Sequence, residues 1–330
     1  MVSHLLSEVE NLVHECFSAG LERTSVLIGL GGGVCTDLVT MAASLTRRGL
    51  SYMRIPTTLI GLIDAGIGIK GGVNLPARKN AIGYFHPPEH VFLDPGFLST
   101  LPKQQLSEGL AEAIKVAITI DASLFDLIER HAKDFLDGGK ARGDQLTDLV
   151  WRSALTLLDE LESNIYEDKS YCRLLDFGHT FSPLIESESD FQISHGRAVS
   201  IDIATSTALA FELGMISEAD RDRILRLLLC AGLPIFTPSL TVAAAIRALG
   251  LMEAHRAGYV NLVVPAGVGR ALFIKQKDDV PVESLGRALG LLREVHTSNS
   301  NVDSPRVERQ TPKGTHEDLG QAVPAWATGT

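Results

Sequence analysis

Apolar and polar positions alternate along this chain at two periods. Over residues 5–17 (LLSEVENLVHECF) aliphatic side chains recur three and four apart among acids, the spacing of an amphipathic helix. Residues 25–29 (SVLIG) form a short apolar run that reads as a buried strand and leads into Gly31-Gly32-Gly33-Val34. Helical period returns over 37–45, and 52–55 reads as a second strand. Strand, glycine turn, helix and strand make a βαβ unit. A glycine-rich stretch, 61–72, and then 80–88 follow it. From residue 102 to about 214 the period is almost wholly helical, broken near 138–139 and over 163–173, and 259–265 reads as one late strand. From 297 onward Ser, Thr, Pro, Gly and charge displace the aliphatics, a composition that buries too little surface to order itself. The pattern predicts an α/β, Rossmann-like domain over 1–101, an all-α domain over 102–296 and a disordered tail over 297–330.

Composition narrows the functions open to such a chain. Its 330 residues carry a net charge of -10, which argues against nucleic acid as a partner, since phosphate backbones need a basic face. A few local cations would still serve a phosphorylated metabolite. Cys16, Cys35, Cys172 and Cys230 are widely spaced with no CxxC pair, as expected of free thiols in a reducing compartment. The first residues hold neither a basic n-region nor a long apolar run, so a cytoplasmic protein without a membrane span is expected.

Three separated residues suggest the chemistry: Glu112 in GLAEAIK, His179 in DFGHTFSP and His195 in SHGRAV. One carboxylate and two imidazoles make three protein ligands, which leaves a divalent metal an open position for substrate oxygen. Taken singly, a Glu in an Ala/Leu-rich helix is most often solvated and a helical His most often has an ordinary partner. Glu112 and Lys115 share a helix face, which sets a cation beside the carboxylate. The glycine turn lets backbone N–H groups approach a pyrophosphate at a helix N-terminus, although GGGxxxD departs from GxGxxG.

Nine words in order, GGGVCTD, RRG, PTTL, IDAGIGIKGGVN, KNAIGYFHPP, FLSTLP, GLAEAIK, RLLDFGHTF and HGRAV, resemble the 3-dehydroquinate synthase-like sugar phosphate cyclases. The resemblance spans roughly residues 20–265 and implies catalytic NAD and zinc, with cobalt as an alternative metal. It implies metal ligation by Glu112, His179 and His195, and NAD contacts from Gly33, Val34, Asp37, Thr57, Thr58, Lys70, Lys79, Phe97 and Thr100. Asp64, Asn80, Lys115 and Arg173 match residues around the substrate hydroxyls, and Arg48 matches a phosphate-binding arginine donated across a homodimer interface. The implied mechanism assigns phosphate to Lys70, Asn80, His255 and Arg48, and hydroxyl orientation to Asp64, Lys115 and Asp176. The reaction is a cyclisation without net oxidation: transient oxidation at C5, phosphate elimination from C7, re-reduction, ring opening and intramolecular aldol closure.

Departures from the family pattern point to a subfamily. Dehydroquinate synthases have Asn and His at the positions of Asp176 and Pro183, and a substrate-binding lysine where this chain has the acidic run 158–162. Acids there, Glu162 with Asp176, are expected to repel a carboxylate and favour a neutral polyol. DFGHTFSP, IDAGIGIK and His255 in HRAGYVNLVVP resemble the 2-epi-5-epi-valiolone synthases, which implies sedoheptulose 7-phosphate as substrate. Synthases of 2-epi-valiolone, desmethyl-4-deoxygadusol and 3-dehydroquinate are the neighbouring alternatives, and 2-deoxy-scyllo-inosose synthase fits Asp176 and Pro183 less well. Family members carry further Rossmann sequence before the glycine turn, so the sheet is expected to lack its first strands. Two readings of other classes are a metal-dependent polyol dehydrogenase of the glycerol dehydrogenase type and an inactive, shortened homologue.

Overall fold

The computed structural model describes residues 5–75, 78–137 and 143–302, with the backbone alone at 78, 79 and 300–302. Helix α1 (Leu6–Ser18) precedes strand β1 (Leu27–Gly31), helix α2 (Gly33–Leu45) and strand β2 (Tyr52–Pro56). β1 and β2 run parallel, with Leu27 opposite Tyr52 and Gly31 opposite Pro56. An antiparallel hairpin of β3 (Lys70–Leu75) and β4 (Arg78–Phe85) follows, and β5 (His90–Val91) joins the other edge of β2 to give the order β1-β2-β5. The strand starts later than residue 25 because Ser25 is still in a turn, its N–H donating to the Glu22 carbonyl at 3.2 Å. α2 starts earlier than residue 37 because Gly32 caps it in an extended conformation and the Thr36 hydroxyl returns to the Gly33 carbonyl at 2.8 Å. The hairpin has no counterpart in the sequence pattern, since its glycines supply no alternating apolar face.

The second half contains α3 (Lys103–Thr119), α4 (Ala122–Phe135), α5 (Gly143–Glu162), α6 (Ser182–Glu188), α7 (His195–Glu212), α8 (Glu218–Cys230) and α9 (Val242–His255). Strands β6 (Leu262–Pro265) and β7 (Ala271–Ile274) and helix α10 (Val282–Val302) complete it. This half is therefore not all-α. β6 is buried at every position, and its backbone groups need the antiparallel partner β7 to be satisfied there. Nor does order end at residue 297: α10 runs on to Val302, anchored through buried Leu285, Leu289 and Leu292, while residues 303–330 lie outside those described. Once that anchor is in place, each further residue adds a hydrogen bond at little cost. The break expected at 138–139 also lies outside the described residues.

One contiguous core runs from Leu59 to Leu292 with α3 and α7 inside it. From the first half Leu59, Leu62, Ile63 and Leu98 join this core and Ile67 packs with Ala154 and Leu157, while α1, α2 and the first strands form two small clusters, one around Val9, Met41, Ala42 and Val73 and one around Val39, Ala43 and Tyr52. All four cysteines are free thiols. Among the described residues no helix is long and apolar enough to cross a membrane.

Candidate metal and cofactor site

α3 carries Glu112 into the core, where its side chain is only 2% exposed. The other two candidate ligands come from the entry to α6 and the first turn of α7. Gly178 takes a left-handed φ of 77°, which turns the chain sharply before His179. Gly196 lets the start of α7 lie against α3, because a Cβ there would stand 2.4 Å from the Glu108 carbonyl. Buried Asp202 fixes the intervening turn by accepting from the backbone N–H of Phe181 and, at 2.8 Å, from that of Ser182. Its burial outweighs these donors and pushes its carboxyl up to about 6.

These supports bring one ligand atom from each of Glu112, His179 and His195 within 4.8 Å of one another. Nε2 of His195 stands 3.2 Å from Glu112 Oε1 and Nε2 of His179 stands 3.9 Å from it. The opposite ring nitrogens are engaged, His195 Nδ1 with Glu186 Oε1 at 2.9 Å and His179 Nδ1 with the Phe177 carbonyl at 3.1 Å. That arrangement presents both Nε2 lone pairs to the centre. Both Glu112 oxygens are buried without an aligned hydrogen-bond donor, although Lys115 Nζ lies 2.6 Å from Oε2. A buried carboxylate with no aligned hydrogen-bond donor, facing two imidazoles, fits a divalent cation, which would take all three as ligands.

The electrostatics favour ligation. Burial would raise the Glu112 carboxyl, but Lys115 and the two imidazoles outweigh it and hold the group well below the usual carboxylate range. Burial, assisted by Lys115, lowers His179 to about 4, leaving it neutral near pH 7. Lys115 also reaches Asp64 Oδ2 at 3.3 Å, so two carboxylates share one ammonium. Glu112 keeps its charge, whereas burial raises Asp64. Burial alone would lower Lys115, but the two acids raise it, so it remains an ammonium.

Two cavities reach this cluster and a third lies beside them. A 680 Å³ cavity joins Gly33, Val34, Asp37 and Thr58 of the glycine-turn region to His179, Pro183 and His195, with Asp64, Lys70 and Asn80 between them. A second, of 380 Å³, is lined by Asp64, Lys70, Lys115, Arg173, Asp176, His179 and His255. A third takes in Asp37, Lys70, Asn80 and Glu167. Thr57, Phe97, Thr100 and Arg48 line none of these three, and the side chain of Lys79 lies outside the described residues. Arg48 sits exposed on a 3₁₀ turn at a φ of 68°.

Glu162 is not among the acids that border the 380 Å³ cavity: it is exposed at the end of α5 and contributes nothing to the lining. Glu167, on the turn that follows, occupies that place. Asp176 is no free anion either. It accepts from Arg173 Nη2 at 2.8 Å and from Arg256 Nη2 at 2.8 Å. Burial would lower Arg173, but Asp176 and Glu167 raise it. Arg256, buried and also donating to the Val260 carbonyl at 2.8 Å, had no signal in the sequence beyond its place beside His255. Glu186 and Glu167 likewise had none, because irregular turns rather than a helical or strand period bring them to His195 and to Lys70 and Arg173.

Profiles described as 3-dehydroquinate synthase N-terminal and C-terminal match residues 3–108 and 109–252. The chain belongs to the 3-dehydroquinate synthase family of sugar phosphate cyclases, and is an enzyme of that class. It is 40% identical over 295 residues to a 2-epi-5-epi-valiolone synthase of Streptomyces glaucescens, covering 89% of this chain and 75% of the relative. It is 34% identical to a 3-dehydroquinate synthase of Saccharolobus solfataricus, over 85% of this chain and 78% of the relative. A solved 2-epi-5-epi-valiolone synthase from Streptomyces hygroscopicus subsp. jinggangensis, with NAD+ and Zn2+ bound, superposes with a TM-score of 0.84 at 39% identity, covering 88% of this chain and 80% of that one.

Proposed function

We propose that this chain cyclises sedoheptulose 7-phosphate to 2-epi-5-epi-valiolone with release of phosphate, as a cytoplasmic enzyme using NAD and zinc or cobalt. The observation that carries the reading is the 680 Å³ cavity with the glycine-turn residues on one wall and His179 and His195 on another, so that a cofactor and a metal can meet one substrate. The likeness to the Streptomyces synthases supports the choice of substrate. In this reading residues before about 101 bind the nucleotide, through Gly33, Val34, Asp37, Thr57, Thr58, Lys79, Phe97 and Thr100. The residues after them supply Glu112, His179 and His195 to the metal.

When bound, NAD supplies a reversible hydride acceptor and the metal a Lewis acid for hydroxyl oxygens. The chain's own residues do the positioning. Lys115, held as an ammonium between Glu112 and Asp64, donates toward a substrate oxygen. Asp64, raised by burial, is suited to accept and return a hydroxyl proton. Asp176, fixed by two arginines, presents a stationary acceptor to the ring hydroxyls. Lys70, Asn80 and His255 surround the phosphate end, Arg173 lies beside the hydroxyls, and Arg48 reaches the phosphate from the partner of a homodimer.

The decisive experiment incubates the protein with sedoheptulose 7-phosphate and NAD and identifies the product by mass spectrometry and NMR. Phosphate release with a cyclic product and no accumulating NADH is the expected result. Net NADH would support the polyol dehydrogenase reading instead. Equal phosphate release from the carboxylated seven-carbon sugar acid phosphate would overturn the subfamily assignment, and a fully active monomer would overturn the role of Arg48.

A further inference from the structure

Four cations border the 380 Å³ cavity, and each has an internal anion. Lys115 faces Glu112 and Asp64, Arg256 faces Asp176, and Arg173 divides between Asp176 and Glu167. Lys70, the most exposed at 53%, pairs with Glu167. Lys70 and Arg173 converge on the same oxygen, Oε1 of Glu167, from the β3 strand on one side and the segment before α6 on the other. Two cations meeting at one oxygen is the arrangement a phosphate oxygen would find.

The turn that carries Glu167 is built to hold it there. Asn164 ties the loop at both ends, its Nδ2 donating to the Ser170 carbonyl at 2.8 Å and its Oδ1 accepting from the Lys169 N–H at 2.9 Å. The Glu167 N–H closes on the Asn164 carbonyl at 2.9 Å, and the residue takes a left-handed φ of 54°, uncommon for Glu. Glu167 itself lies in neither helix nor strand, so its side chain can leave the two cations without breaking a regular element.

We propose that Glu167 is an intramolecular counter-anion that occupies Lys70 and Arg173 and competes with phosphate for them. A substrate phosphate displaces it on entry, and its return favours departure of inorganic phosphate after elimination. A rival role, in which Glu167 merely restrains the two cations for the ligand, predicts the opposite sign. Restraining two long side chains is worth roughly several-fold in affinity each. Repulsion between a carboxylate and a phosphate charge about 5 Å away in a partly buried site is worth roughly two orders of magnitude, of which at least one survives solvent screening. The sign of the change in phosphate affinity on removing Glu167 therefore separates the two roles. The proposal rests on the cyclase reading only for the natural source of the phosphate.

The test needs no turnover. Calorimetric titration with inorganic phosphate at fixed ionic strength should give a Kd at least tenfold lower for Glu167→Gln, and also for Glu167→Ala, than for the unaltered chain. An unchanged or higher Kd in either folded variant overturns the proposal. On the unaltered chain, saturating phosphate should speed amide hydrogen exchange over residues 163–170, and slower exchange there would contradict displacement, so the idea stays testable if both variants misfold. Should the Kd shift appear while sedoheptulose 7-phosphate is left untouched, the counter-anion stands and the proposed substrate falls.

Discussion

The two halves of this molecule hold their functional residues by different means. In the helical half, α3 and α7 are buried along most of their length, and the candidate metal ligands stand on or beside them in a single continuous core. In the α/β half Leu59, Leu62, Ile63 and Leu98 join that core, but the packing around β1 and β2 is split into small clusters, and Ile28 and Leu30 on β1 remain 59% and 58% exposed. Close-packed interiors resist displacement, whereas an element with few buried contacts opens at low cost. The candidate metal ligands are thus set by packing, while the glycine turn is held by backbone hydrogen bonds, Thr36 N–H to the Gly32 carbonyl at 3.1 Å and Thr57 N–H to the Gly31 carbonyl at 2.9 Å.

The largest effect that can break this contrast is removal of a ligand. Replacing His179 or His195 with Ala should abolish bound zinc and turnover together, because two protein ligands hold a divalent ion poorly, and the second-sphere contacts from Phe177 and Glu186 cannot substitute. Metal analysis of the purified variants checks it, and full occupancy in both would remove the assignment.

Next in size is a matched pair of truncations. Ile114→Ala, at a fully buried position of α3, should lower unfolding stability by about 2–5 kcal/mol, whereas Ile28→Ala on the exposed face of β1 should stay within about 0.5 kcal/mol. Urea titration of both variants measures the difference. Equal losses would show that the α/β half is packed as tightly as the other.

The smallest effect is a matter of pH. Burial raises the Asp202 carboxyl to about 6, above the value near 3.9 of an unfolded chain. A raised folded value means that its stabilising contribution is complete below about 3.9 and is lost as pH climbs through about 6. Asn at this position keeps an acceptor for the Phe181 and Ser182 amides without the buried charge. Asp202→Asn should therefore gain on the unaltered protein by about 2–3 kcal/mol between pH 4 and pH 7.5. Melting curves at those two pH values, with a difference that stays flat, would refute the burial argument.

Much of this was legible in the chain itself. The helical periods of α1, α3 and α7, the strand pairing around the glycine turn and the words holding Glu112, His179 and His195 are local patterns, and local pattern is what a linear sequence records. The family words also survive as words, independent of where they lie in space. What needed the tertiary structure was every relation between distant charges. Glu162 and Glu167 look equivalent in sequence, yet only the second borders the cavity, because the end of α5 and the turn after it point their side chains to different places. Arg256 and Asp176 give no hint of each other until folding brings them to 2.8 Å. Coulomb energy depends on distance and on the solvent excluded between charges, and neither quantity exists until the core has closed.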